Sequence, residues 1–454
     1  MRPIRAFAAT AAVVAMICAT QSAVPAAAKP SLRGVMYVGN NWSGTASIVD
    51  ADSMEVLKRG INLIPDKAEE MARITTNPVN LAYFLVIRMG PGEGHDQFVD
   101  DMFATQDGRF LAVSRPSFGD VIWVDLEKAL TDGAPASEII VREQSMDGYR
   151  TDHMALSPDG RRLLVSDSTS AKVIEYSMVD ETVDGKAIKL GDRLRTFPTG
   201  ETPHESNYLD DDTIVHASIG KVYTPGDDPL LDALKGDRWF QTVRNSDFSV
   251  QRRWNMGKEL AESGFPQMSA AVRPMAIGPD NLIYYQISFL HGLVEFDTEA
   301  PDAKPASTYK SGGIAEPTKG RVTRILNLPN RVPNLLREQY VNDSAHHGLA
   351  ISEDNETLCV AGTMDDYVAF VDRESFKFKV LDTSPRTPPE GTDGKYTKPY
   401  WSTEAPNNRC WVSLSGSDAV AVFDFDTQEE VAYLAVGDHP QRVRYGAILA
   451  SLVD

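Results

Sequence analysis

The sequence predicts an all-β fold: seven units of four short strands set around one axis and closed by the C-terminal strand. Three observations point there. A polar turn followed by a short apolar strand occurs seven times along the chain. Most copies are followed by another strand that ends near an acidic residue. The two ends of the chain supply complementary parts of a single unit, which a ring brings together.

Taken in order, unit one holds "GVMYVGNN" from Gly34 and "TASIVDADS" from Thr45, with no strand in front of them. Unit two has "GRFLAVSRP" from Gly108 and "DVIWVDLEK" from Asp120. Unit three adds a leading strand, "DHMALSPDG" from Asp152, then "GRRLLVSDS" and "KVIEYSMVD". Unit four contributes "DDTIVHASI" and "SVQRRWNMG". Units five and six are complete: "RPMAIGPDN", "DNLIYYQIS", "GLVEFDTEA" and "RVTRILNLP", then "HGLAISEDN", "NETLCVAGT", "YVAFVDRES" and "KFKVLDT". Unit seven carries "NNRCWVSLS", "AVAVFDFDT" and "EEVAYLAVG", and "DHPQRVRYGAIL" from Asp438 supplies the leading strand that unit one lacks. Four short strands joined by Asp-, Asn- and Gly-rich turns are the pattern of one propeller blade, and closing the ring removes the open sheet edge.

"MYVGNN" at Met36–Asn41, "SPDGRRLLVSDS" at Ser157–Ser168 and "VGDHPQRVR" at Val436–Arg444 resemble the YVTN-type seven-bladed propeller repeat family over nearly the whole chain after its first 28 residues. The resemblance implies the fold and no particular substrate, because such propellers serve as binding proteins, surface proteins and enzymes.

Between Pro65 and Gly90 the strand pattern gives way to helical spacing interrupted by Pro78. The stretches from Thr224 and from Leu328 read as further insertions with a helical turn or two, "SPRTPPEGTDGKY" from Ser384 as an exposed loop, and "GPGEG" at Gly90–Gly94 as a flexible one. Insertions collect on a propeller's faces, where they wall or cover a pocket.

Residues 1–28 read as a signal peptide: Arg2 and Arg5 precede an apolar stretch, and Ala26-Ala27-Ala28 offers small residues for cleavage. A single propeller domain over 29–454 is expected, secreted or periplasmic, with no membrane span. Two basic residues and no acidic one leave with the leader, so the formal charge of −19 becomes −21. Such a chain offers no basic face for nucleic acid. Cys359 and Cys410 remain; they fall in equivalent strands of neighbouring units one position apart in register, the geometry a bridge between stacked sheets requires.

Residues just before each innermost strand converge at one rim of the channel. Aligned there are Asp100 with Asp101, Asp152 with His153, His204 with Glu205, Arg273, His346 with His347, Lys398 with Tyr400, and His439 to Arg442. Five of the eight histidines lie in that belt. His95 is a little upstream, His291 is in a loop opening on the same face, and His216 sits inside a strand as an ordinary packing residue.

The belt suits two kinds of function. As a binding funnel it takes a small molecule or an extracellular partner through Asp101, Asp152, Glu205, His291, His346, Lys398 and Arg442. As an active centre it uses His153, His204, His347, Arg273 and Tyr400. Neutral imidazoles of His153, His204, His347 and His439 suit a divalent transition metal such as copper, iron or zinc. Without a metal, a histidine beside an acid serves as base, while Arg273, Arg442 or Lys398 holds a carboxylate or enolate, as a lyase or lactone-opening reaction needs. Tyr400 and Trp401 offer a wall for a ring to stack on, or core packing between units.

Overall fold

Turn chemistry explains the repeat. Thr105, Ser157 and Ser352 each donate a hydroxyl hydrogen bond of 2.6 Å to the aspartate two residues on, Asp107, Asp159 and Asp354. The next residue in each case, Gly108, Gly160 or Asn355, takes a left-handed backbone conformation. Glycine and asparagine tolerate that conformation best, and a short polar side chain closes the turn locally. The polar motif thus reverses the chain from the innermost strand of a blade into its second.

The computed structural model describes residues 30–221, 236–265, 271–301, 310–311, 314–315, 317–340, 342, 344–383 and 397–454. The signal-peptide segment, most of the insertion from Thr224 and the loop from Ser384 lie outside them. The described strands form seven four-stranded antiparallel sheets, with two short hairpins besides. Blade 1 is assembled from both ends: Pro440–Leu449 is its innermost strand and pairs antiparallel with Leu32–Asn40, bringing Val38 opposite Val443. The C-terminal strand therefore closes the ring as expected. Innermost strands of blades 2 to 7 begin at Met102, Thr151, Pro203, Val272, Gly348 and Pro399.

Inner strands are buried on both faces because blades stack face to face. Phe110–Arg115 is an example, whereas the outermost strand Ile140–Ser145 alternates half-buried with exposed residues. Three outer or third strands, Ile140–Ser145, Arg193–Pro198 and Trp239–Arg244, carry no strong sequence motif and complete blades 2, 3 and 4. Cys359 and Cys410 form a disulfide between the second strands of blades 6 and 7, with a Cα–Cα distance of 6.5 Å.

Between blades 1 and 2 the chain forms two helices, α1 (Lys67–Thr76) and α2 (Pro78–Met89). Pro78 starts the second instead of merely interrupting the first. It occupies the first turn, where its missing N–H costs nothing, and the Asn77 side chain accepts from the backbone of Val79 and Asn80. Ile74 and Phe84 pack with Ile64, Phe98 and Phe118, fixing the pair to the propeller. The Leu328 insertion includes a short 3-10 turn, Arg337–Gln339. No described helix is long and apolar enough to cross a membrane.

Candidate functional site

In an antiparallel four-stranded blade, the loop leading into the innermost strand and the loop joining second to third strands open on the same face. Side chains from both loop sets meet at the channel mouth. A local irregularity sharpens the convergence. Pairing slips at the start of the innermost strand in five blades: between Thr151 and Met154, Pro203 and Glu205, Val272 and Met275, Pro399 and Ser402, and opposite Val38 to Asn40. The residues left out of the ladder include His153, His204, Arg273, Tyr400 and Arg442. Such bulges re-aim side chains that a regular ladder would send to the sheet faces.

His153, His204 and His347 come together there, each offering a ring nitrogen within 4.8 Å of the others'. The rings of His153 and His204 are 4.0 Å apart, and the Tyr400 ring stacks on His347 at 4.3 Å. His153 Nδ1 is 3.1 Å from Glu205 Oε2, while its Nε2 faces Arg442 Nη2. Arg442 lies 4.2 Å above the Trp401 ring and 3.5 Å from Asp100. Its Nε and Nη1 are buried with no hydrogen-bond partner among the described residues. Arg273 donates to Ser288 Oγ and to the backbone oxygen of Asn342, and Asn342 Nδ2 donates to Tyr400 Oη at 2.9 Å.

Burial dominates the electrostatics. It holds His153, His204 and His347 well below the ordinary histidine range, helped by Arg442 at His153 and His347 and by Arg273 at His204. The three imidazoles are therefore neutral. Burial likewise pushes Glu205 up to about 7, Asp100 up to about 6 and Tyr400 up to about 12. Against its burial, Asp101 stays below the usual carboxylate range because Arg444 grips it at 2.8 and 2.7 Å. Asp152 is paired with Arg150 and accepts from Ser168 Oγ at 2.8 Å. These two aspartates hold neighbouring arginines in place.

His439 does not join the other three expected metal ligands. With a left-handed backbone just before Pro440, it stacks on Trp42 at 3.7 Å, and His95 stacks on Trp42 at the same distance. Lys398, also left-handed and also before a proline, reaches Glu93 at 3.2 Å. Both are thus tied to Trp42 and the 90–97 loop rather than to the histidine trio. The "GPGEG" segment is accordingly a built piece of this face: Arg88 forks onto Asp96 with two 2.6 Å bonds, closing the loop at its base.

His291 and His346 gather in a second cluster around Asp365. Asp365 Oδ2 is 2.6 Å from His291 Nδ1 and 2.8 Å from His346 Nε2. Burial works against the carboxylate's charge, yet these two contacts hold Asp365 down at about 2. Tyr340 Oη is 3.1 Å from His291 Nε2, and Tyr367 Oη is 3.2 Å from His346 Nε2. His216 bonds to Ser206 and Ser218 within blade 4 and takes no part in either cluster. Sequence reading missed Asp365, Trp42 and Tyr340. Asp365 and Trp42, like His291, sit in loops joining second to third strands, so aligning those loops as well would have found them.

Either histidine cluster has donors that could hold a metal ion. In the trio, however, both nitrogens of His153 are engaged, one of them by a cation, so an ion there requires Arg442 to withdraw.

No family model matches the chain, and no curated protein matches it. Among solved structures it is similar to virginiamycin B lyase from Staphylococcus aureus in its selenomethionine form, with 8% identity over 74% of this chain and 84% of that one and a TM-score of 0.47. A streptogramin B lyase structure matches with 11% identity over 75% and 84%, TM-score 0.47. Kuenenia stuttgartiensis hydrazine synthase matches with 13% identity over 75% and 88%, TM-score 0.46. The likeness to the YVTN-type repeat rests on its motifs.

Proposed function

We propose that this protein is an exported propeller of YVTN type whose channel mouth binds a small molecule through a carboxylate or comparable anionic group. The observation that carries this reading is Arg442: a fully buried guanidinium with two nitrogens lacking a hydrogen-bond acceptor among the described residues. Its ion pair with Asp100, at 3.5 Å, engages only Nη2, and a planar fork of N–H donors matches a carboxylate. Arg273 adds a second buried cation close to His204, and the imidazoles beside both are neutral. Tyr400 and Trp401 supply a flat wall for the rest of the molecule. Export is supported by the signal-like leader and by the Cys359–Cys410 disulfide, which suits an oxidising compartment.

A catalytic extension is favoured by His204 and His347, whose Nδ1 atoms are buried with no hydrogen-bond partner among the described residues. A neutral imidazole there accepts a proton from a molecule held at Arg442. Calorimetric titration tests the binding reading, using a panel of mono- and dicarboxylates against their amides. Carboxylates should bind and raise the melting temperature, amides should not, and R442Q should lose the difference. A panel in which no carboxylate outperforms its amide would overturn it.

A further inference from the structure

We propose that His291, His346 and Asp365 form a binding site for one divalent transition-metal ion, with His291 Nδ1, His346 Nε2 and Asp365 Oδ2 as its ligands. These three atoms already face one another at 2.6 and 2.8 Å across the shared carboxylate oxygen. Metal bonds of about 2.1 Å place ligand atoms about 3.0 to 3.4 Å apart, so an opening of under about 1 Å at each histidine–Asp365 contact admits the ion, and the three ligand atoms already lie within 4.8 Å of one another.

The remaining atoms of two ligands are occupied in the way such a centre requires. Asp365 Oδ1 accepts from the Arg331 backbone N–H at 2.7 Å, which leaves Oδ2 for the ion. His291 Nε2 meets Tyr340 Oη at 3.1 Å, which leaves Nδ1. Outer partners of this kind fix the tautomer and orientation of a ligating imidazole. Tyr367 Oη, 3.2 Å from His346 Nε2 and 3.1 Å from the Pro329 oxygen, stands where it can hold a metal-bound water.

Charge separates this cluster from the arginine-flanked trio. Here one carboxylate faces two imidazoles, and the nearby Arg331 guanidinium is paired with Asp382. His346 and Asp365 are fully buried, while His291 retains 8% exposure on its side chain, which gives an ion its path in. Two histidines and one carboxylate suit zinc or ferrous iron better than calcium or magnesium.

The full-length protein, stripped with a chelator and dialysed, is titrated with Co²⁺ and then with Zn²⁺. One Co²⁺ per chain is expected, with visible ligand-field bands that Zn²⁺ abolishes. H291N and D365N should each weaken binding by more than the about 10- to 100-fold that loss of an outer partner costs, while H204N and H347N should leave it unchanged. Should D365N fail to fold, H291N lies at the cluster's exposed edge, and X-ray absorption of the Zn²⁺-loaded unsubstituted protein counts the imidazoles directly; two are expected. No stoichiometric Co²⁺, binding that survives H291N, or binding lost in H204N or H347N would overturn the proposal. The carboxylate panel is scored on the metal-free protein, so the two readings fail separately.

Discussion

Replacing Glu205 by glutamine isolates the electrostatic strain at the channel mouth. Glu205 is buried, sits 3.1 Å from His153 Nδ1, and accepts from Asn207 Nδ2 at 2.9 Å and from the Met275 backbone at 3.4 Å. Burial raises its pKa from 4.5 to about 7, with Arg444 and Arg442 opposing the rise. Below pH 4.5 the group is protonated whether the chain is folded or not. Between pH 4.5 and about 7 the folded chain keeps a proton that the unfolded chain releases, so stability falls as pH rises; above about 7 the loss is complete. A shift of about 2.5 units at about 1.4 kcal/mol each makes that loss about 3 kcal/mol. For a chain of this length the unfolding entropy is about 0.9 kcal/mol/K, so the loss equals about 3 to 4 °C in melting temperature.

Glutamine is the neutral isostere at every pH. In either orientation its NH2 group meets an N–H donor, Asn207 Nδ2 and Met275 N on one side or His153 Nδ1 on the other, a cost that does not vary with pH. Scanning calorimetry of both proteins at pH 5 and pH 8 therefore reads the titration alone, because Asp100, raised to about 6, contributes equally to each. The melting-temperature gap should move about 3 °C in favour of E205Q between the two pH values, since part of the loss is already complete at pH 5. A gap constant to within about 1 °C, well under the shift worked above, would show that Glu205 ionises normally and that the channel mouth is wetter than its packing indicates.

Three further changes bear on the frame. Arg115 is fully buried between Asp66 (2.6 and 3.0 Å) and Asp120 (2.8 and 2.6 Å); R115M strands both carboxylates and should cost about 3 to 5 kcal/mol in urea denaturation, most of it recovered when D66N and D120N are added. The disulfide spans 51 residues of sequence, so C359S/C410S should lower stability by up to about 4 kcal/mol in guanidinium, matching the effect of a reductant on the unsubstituted protein. A Cβ on Gly348 would lie 2.5 Å from Ser402 N and 2.7 Å from the Trp401 backbone. G348A should therefore push the innermost strands of blades 6 and 7 apart, costing about 1 to 3 kcal/mol and weakening carboxylate binding beside His347.

The blade count was legible because it depends on one-dimensional signals: turn residues that tolerate left-handed backbone and the apolar runs between them. Ring closure followed from strand order at the two ends. Strands such as Trp239–Arg244 escaped notice because an insertion separates that strand from its blade. Pro78 was read as a break because a proline signals both helix ends and helix starts, and only Asn77 capping the next turn decides between them. The converging belt was legible as a set of positions, but its division was not. His439 and Lys398 differ from their neighbours through backbone conformation before a proline, which spacing does not encode.

The pair His346-His347 shows what divides the belt. Successive side chains near an extended strand face opposite ways. His347 turns to Tyr400 and the neutral trio beside Arg442, and His346 turns to Asp365 and His291. One step along the chain thus feeds two different environments: one in which buried arginines and carboxylates surround three neutral imidazoles, the other carrying a carboxylate between two imidazoles. Pooling His153, His204, His347 and His439 into one four-ligand centre misses this, because a buried guanidinium and a metal ion compete for the same lone pair on His153. Counting arginines within each cluster, rather than histidines across the belt, is what separates the two.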